Sequence, residues 1–137
     1  MQDRIQGFRE GLAGGGHVEP DAVHTGEFTR DGGFRAMTAL LSGGAQVDCV
    51  FAVDDVMAVG AIAALRRHGR VGDPIGIAGF DDIATLRDIE PALTTVRFPL
   101  EEIGEAAMQM VLQPRADKPR RRFIGGAVVL RDSTACV

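Results

Sequence analysis

Tryptophan and tyrosine are absent and the seven aromatic residues are all Phe, so the core has to be built from aliphatic side chains. Positive charge is also short: 15 Lys and Arg stand against 19 Asp and Glu, a net charge of −4. That balance gives no electrostatic footprint for nucleic acid, whose phosphates need cations clustered on one face. The one basic run, Pro114 to Arg122, holds two prolines and no aromatic residue for stacking, and reads as a solvated connector. Cysteine is scarce too. Cys49 lies in an apolar run and Cys136 beside the C-terminus, without metal-ligand or redox spacing, so neither a disulfide framework nor a zinc site is indicated, and a reducing cytoplasm fits. No apolar run reaches the length of a membrane span, and the charged opening MQDRIQGFRE lacks the apolar segment of a signal peptide. No membrane, metal or cofactor is expected as a partner.

What is present is a chain of one-domain size, 137 residues with 45% hydrophobic and 25% charged, whose 18 glycines suit an α/β protein with tight turns between strands and Ala-rich helices. Ile5, Phe8 and Leu12 share a helical face from Asp3 to Leu12, and Gly14-Gly15-Gly16 comes next. A phosphate-cradling glycine loop needs a strand before it and a helix after. The order here is the reverse, so the triplet reads as a turn.

A short strand is predicted at Ala22–Thr25, then a helix with Phe34, Met37, Leu40 and Leu41 on one face. Val47–Val53 reads as a buried strand, Asp55–His68 as a helix ended by Gly69, and Pro74–Phe80 as the next buried strand. This alternation is the rhythm of a doubly wound parallel sheet. After Pro91 a strand in LTTVRFPL, a helix opened by Pro99 and running Leu100–Leu112, and a last strand at Phe123–Leu130 suggest an excursion and a return.

Two strands end in paired acids, VFAVDDVMA and GIAGFDDIA. Ligands of open α/β sheets bind beyond the carboxyl ends of the strands, where Asp54-Asp55 and Asp81-Asp82 fall. The second acid of each pair has a structural role open to it, Asp55 as the cap of the next helix and Asp82 as a turn cap. The first acids, Asp54 and Asp81, could hold Mg²⁺, act as acid and base, or accept from a polyhydroxylated ligand. A phospho-accepting receiver would want a Lys at the end of its last strand, but the only one is Lys118 in the Pro/Arg loop. An enzyme would want a nucleophile or base at another strand end, whereas His17, His24 and His68 fall in turns, a strand start and a helix end. Binding without catalysis is the best reading of the three.

The segments DRIQGFREGL, VFAVDDVMAVGAIAALRRHG and above all GFDD followed by PALTTVRFPLEEIG resemble the effector-binding domain of the lactose-repressor/galactose-repressor (LacI/GalR) family of transcription regulators, over essentially the whole chain. The resemblance implies an α/β fold: a Rossmann-like parallel sheet flanked by helices, of the type I periplasmic-binding-protein kind, mostly the C-terminal subdomain. Residues 1–98 and 127–137 would form that subdomain without its first strand, and 99–126 a partial segment of the N-terminal subdomain. A helix-turn-helix and a hinge helix would lie upstream. A sugar or sugar-like effector would bind between the subdomains and shift their arrangement, changing operator affinity.

By the same resemblance, Arg4 would donate to effector hydroxyls, Phe28 would stack on the ligand, and Asp81 would accept. Asp54 stands where the family often has Asn. Asn donates and accepts while ionised Asp only accepts, so two facing carboxylates would favour a hydroxyl-rich or cationic effector over an anion. Phe98 and Leu100 match pocket positions but are apolar here, which suits a partly hydrophobic or deoxy sugar. Val59, Ala63 and Ile89 would lie near a two-fold homodimer interface. The helix at Leu100–Leu112 would show an exposed apolar patch, or an oligomer would bury it. The competing function with the same pocket logic is the solute-binding protein of a sugar ABC transporter.

Overall fold

The computed structural model describes residues 2–12, 23–44, 46–70, 75–114 and 118–135. The Gly14–Gly16 turn, His17, Ala22, Pro74 and Cys136 therefore lie outside the described residues. In chain order the elements are α1 (Gln2–Leu12), α2 (Arg30–Ser42), β1 (Cys49–Phe51), α3 (Asp55–Arg67), β2 (Gly76–Ala78), β3 (Thr95–Arg97), α4 (Leu100–Leu112) and β4 (Ala127–Val129), with short 3₁₀ turns at Ala84–Leu86 and Asp132–Thr134.

β1 and β2 run parallel, with Val50 opposite Ile77. Bridges from Ala78 to Thr94 and from Asp81 to Arg97 continue the parallel pairing onto β3. β4 then lies antiparallel to β3, Val96 facing Val128. The two parallel strands joined through α3 are the expected βαβ unit. All the strands come out shorter than the apolar runs that announce them. Val23–Thr25 is a correction of another kind: it is exposed coil, with no strand pairing among the described residues.

The core lies between α2, α3 and the sheet, where Met37, Leu40, Ala58, Ala61, Ile62, Leu65, Ile77 and Leu93 are buried. Small residues set how closely the helices pack. A Cβ on Gly33 would strike the backbone of Met57, and one on Gly60 the carbonyl oxygen of Arg30, so the two helix backbones touch at these glycines. Each helix is started by a side chain: Thr29 Oγ1 accepts from the Gly32 N–H at 3.0 Å and Asp54 Oδ1 from the Met57 N–H at 2.7 Å. The turn after β4 is tied back by Ser133, whose hydroxyl donates to the Ile77 carbonyl at 2.6 Å and accepts from the Thr94 N–H at 2.7 Å.

The far part of the chain is built differently. In α4 only Ala106 is buried, while Leu100, Met108, Val111 and Leu112 are exposed, as are Phe123, Val128 and Leu130. The apolar surface expected on this helix is thus present. Among the described residues no helix is long and apolar enough to cross a membrane.

Candidate functional site

The carboxyl ends of β1, β2 and β3 carry a row of Phe rings. Phe51 ends β1 and stacks on Phe8 of α1, with ring centroids 5.0 Å apart; Phe80 lies just beyond β2 and meets the edge of Phe51 at 6.4 Å; Phe98 lies just beyond β3 and packs on Phe80 at 5.0 Å. Phe98, a residue singled out from the sequence, is part of this floor. Phe51 and Phe80 are site residues that the sequence does not announce. Each sits in an apolar run and looks like core, and only the side-by-side pairing of the strands brings the rings together.

Arg4 crosses this floor. Its guanidinium lies 3.9 Å from the centre of the Phe80 ring, donates to the Val53 carbonyl at 2.6 Å, and reaches Asp81 Oδ1 at 3.4 Å. The ring face and the carbonyl hold the guanidinium in place, and together they leave some of its five N–H donors unused. Arg4 and Asp81 are both part-exposed, at 31% and 38% of their side chains. An anchored donor fork and an acceptor thus stand side by side over an aromatic surface.

The carboxylate of Asp81 is pushed above its ordinary pKa by burial. The charge of Arg4 works against that rise, and the charges of Asp55 and Asp54 add to it. Asp82, one residue on, has the opposite fate. Burial alone would raise it, but hydrogen bonds from Arg131 and Arg97 and the charges of Arg131 and Arg87 outweigh that and hold it below the ordinary value.

The other paired acids are arranged otherwise than expected. Asp54, not Asp55, is the cap of α3; it is buried, and its Oδ1 is turned to the helix N-terminus and takes the Met57 N–H. Either acid of an Asp-Asp pair can cap, and the choice falls to the one whose extended backbone, at φ −148°, leaves its carboxylate over the first turn. Asp55 is structural, but as a brace: it accepts from the Thr95 hydroxyl at 2.5 Å and from the Ile83 N–H at 2.8 Å, joining α3 to β3 and to the turn after β2. Asp82 is likewise an ionic brace and not a turn cap, accepting from Arg131, Arg97 and Arg87.

Of the remaining residues singled out, Phe28 is 52% exposed just before α2, and Leu100 is 72% exposed at the start of α4. Val59, Ala63 and Ile89 are half-buried, and Ile89 packs against the core. Among the described residues no group of three His, Cys, Asp or Glu could hold a metal ion. A separate apolar hollow of about 110 Å³ lies between α2, α3 and β1, lined by His24, Met37, Leu40, Val50 and Met57 among others.

Known proteins are similar to this chain in sequence and fold. A family model described as a periplasmic binding protein-like domain matches residues 1–134. The chain is 37% identical over 136 residues to the HTH-type transcriptional regulator CelR of Thermobifida fusca, covering 96% of this chain and 40% of that protein. It is 37% identical over 120 residues to the HTH-type transcriptional regulator GalR of Escherichia coli K12, covering 86% of this chain and 35% of that one. Among solved structures, a LacI-family transcriptional regulator from Sanguibacter keddieii superposes with TM-score 0.86 at 36% identity, covering 96% of this chain and 53% of the other. A CelR–cellobiose complex superposes with TM-score 0.85 at 33% identity, covering 95% of this chain and 41% of the other. The chain therefore spans well under two thirds of the length of these relatives.

Proposed function

Because this chain belongs to the periplasmic binding protein-like domain family of LacI/GalR-type transcription regulators, we propose that it is the effector-binding portion of such a regulator, and that it takes a sugar or sugar-like molecule at Arg4 and Asp81. The observation that carries this is the anchored pair itself. A guanidinium held over Phe80 has N–H groups left to donate, and the neighbouring carboxylate has lone pairs left to accept. A vicinal diol uses both at once, one hydroxyl accepting from Arg4 and the next donating to Asp81. The Phe floor suits the C–H face of a sugar ring, and the exposed ring of Phe28 is available as a second face.

In this reading residues 1–98 and 127–137 make one wall of the crevice, and 99–126 belong to the facing subdomain. That division suits α4, whose exposed apolar side chains are the kind a second sheet would cover. Binding changes the relation of the two walls and so the DNA affinity of a separate helix-turn-helix, in a cytoplasmic homodimer. Val59 and Ala63, half-buried on α3, are the candidates for the two-fold contact. No catalysis is proposed. An exported solute-binding protein is not favoured, since the curated relatives are transcription regulators.

Isothermal calorimetry on the protein containing this chain tests the site. Cellobiose and ribose are the first probes, because related regulators have been solved with each. A bound sugar should lose affinity on Asp81→Asn or Arg4→Gln. Unchanged affinity in both variants would remove the assignment.

A further inference from the structure

Among the described residues, the non-glycine residues with positive φ are Asp81, at 115°, and its neighbour Asp82, at 51°. A side chain at φ 115° lies outside the regions L-residues ordinarily occupy, and such a conformation persists only where the surroundings over-determine it. The surroundings here converge on Asp82. Its side chain is buried, and Oδ1 accepts from Arg131 Nη2 at 2.5 Å while Oδ2 accepts from Arg97 Nε at 2.5 Å and Arg87 Nη2 at 3.2 Å. The three arginines come from three segments: the turn after β2, the end of β3 and the stretch just beyond β4. Arg131 is itself fixed, donating also to the Leu93 carbonyl at 2.7 Å. The backbone is pinned alongside, with the Asp81 N–H on the Val96 carbonyl at 2.9 Å and the Asp82 N–H on Thr95 Oγ1 at 3.3 Å.

We propose that Asp82 is a positioning residue for the effector site: its three-arginine clamp holds the peptide that keeps Asp81 in its strained backbone, so that the Asp81 carboxylate stands beside Arg4. The clamp also fixes Asp81 relative to both strands that flank α4, since Arg97 lies where the chain leaves for that helix and Arg131 just after it returns. The proposal rests on the effector reading only for what Asp81 touches. The clamp and the strained backbone are made by this chain's own residues.

The test uses no ligand, so its failure and that of the effector reading are distinguishable. The Asp81 carboxyl carbon and its backbone coupling are monitored by NMR through a pH titration, in the native chain and in Asp82→Asn. In the native chain Asp81 should titrate above the ordinary Asp value, raised by burial and, against the pull of Arg4, by the charges of Asp55 and Asp54. In Asp82→Asn the coupling should report an ordinary negative φ, and the midpoint should move into the range of an exposed Asp. An unchanged coupling and midpoint in a variant with native circular dichroism would overturn the proposal. If Asp82→Asn does not fold, Arg87→Gln decides, because it removes one arm at a half-exposed residue. It should move Asp81 part of the way, and no movement would overturn the proposal. Asp81→Gly supplies a second readout. Relief of the strain should raise the melting temperature by roughly 3–10 °C, and an unchanged or lower value would contradict a strained Asp81.

Discussion

The turn after β1 and the turn after β2 carry the same two acids, Asp54-Asp55 and Asp81-Asp82, at the same end of neighbouring parallel strands, and they use them differently. After β1 both carboxylates turn inward. Asp54 starts α3, and Asp55 reaches across to Thr95 and Ile83. After β2 only the second turns inward, onto three arginines, and the first stays part-exposed beside Arg4. The element that comes after each turn makes the difference. A long helix begins directly after β1, and its free N–H groups draw in the nearest carboxylate. After β2 the chain makes only a short 3₁₀ turn at Ala84–Leu86, so nothing local competes for Asp81. Of the four acids, Asp81 alone is claimed neither by a helix N-terminus nor by a buried brace.

The largest break in this contrast should come at Asp55. Asp55→Ala leaves the buried Thr95 hydroxyl and the part-buried Ile83 N–H without their acceptor, which should cost about 3 kcal/mol in urea unfolding. Next comes the acid that is not claimed. Asp81→Asn keeps the shape but trades an acceptor-only group for one that also donates, and should weaken sugar binding by on the order of 10-fold with little change in unfolding free energy. Asp54→Ala removes a cap and should cost about 1 kcal/mol. Asp54→Asn, which caps equally well, should leave stability within a few tenths of a kcal/mol. A large loss of sugar affinity in Asp54→Asn would show that the inward turn of Asp54 does not keep it from the ligand.

The smallest effect separates Asp81 from Asp82 by sign. The folded pKa of Asp82 is depressed, so its stabilisation is present above the unfolded Asp value and is lost as pH falls through the folded one. The folded pKa of Asp81 is raised, so its contribution favours the fold at acid pH and is lost as pH rises through the raised value. Urea unfolding from neutral pH to about pH 3 should therefore lose part of its acid-side decline in Asp82→Asn and steepen slightly in Asp81→Asn.

Where one residue type announces itself locally, the sequence is readable. The apolar spacing of α4 predicts Leu100–Leu112, the bounds observed, and the Ala-rich stretch after β1 predicts α3 to within a residue. The parallel βαβ unit emerges from the same alternation. The capping rule places the cap of α3 one residue late because both acids of the pair satisfy it. The braces are not readable at all: Asp82 and Arg131 are 49 positions apart, Thr95 and Asp55 40, and nothing local distinguishes those arginines and that threonine from surface residues. Val23–Thr25 looks like a strand by composition, but a strand also needs a neighbour to pair with. Phe51 and Phe80 have the composition of core, and their place in the floor depends on strand register.

The most direct measurement tracks all four carboxylates at once. With the carboxyl carbons of Asp54, Asp55, Asp81 and Asp82 assigned by NMR, a sugar found by calorimetry to bind is titrated into the protein containing this chain. Asp81 should move in proportion to occupancy while Asp54 and Asp55, held by the Met57 N–H and by Thr95, stay where they are. Movement of Asp54 or Asp55 at saturation, with Asp81 unmoved, would contradict the division of labour between the two turns.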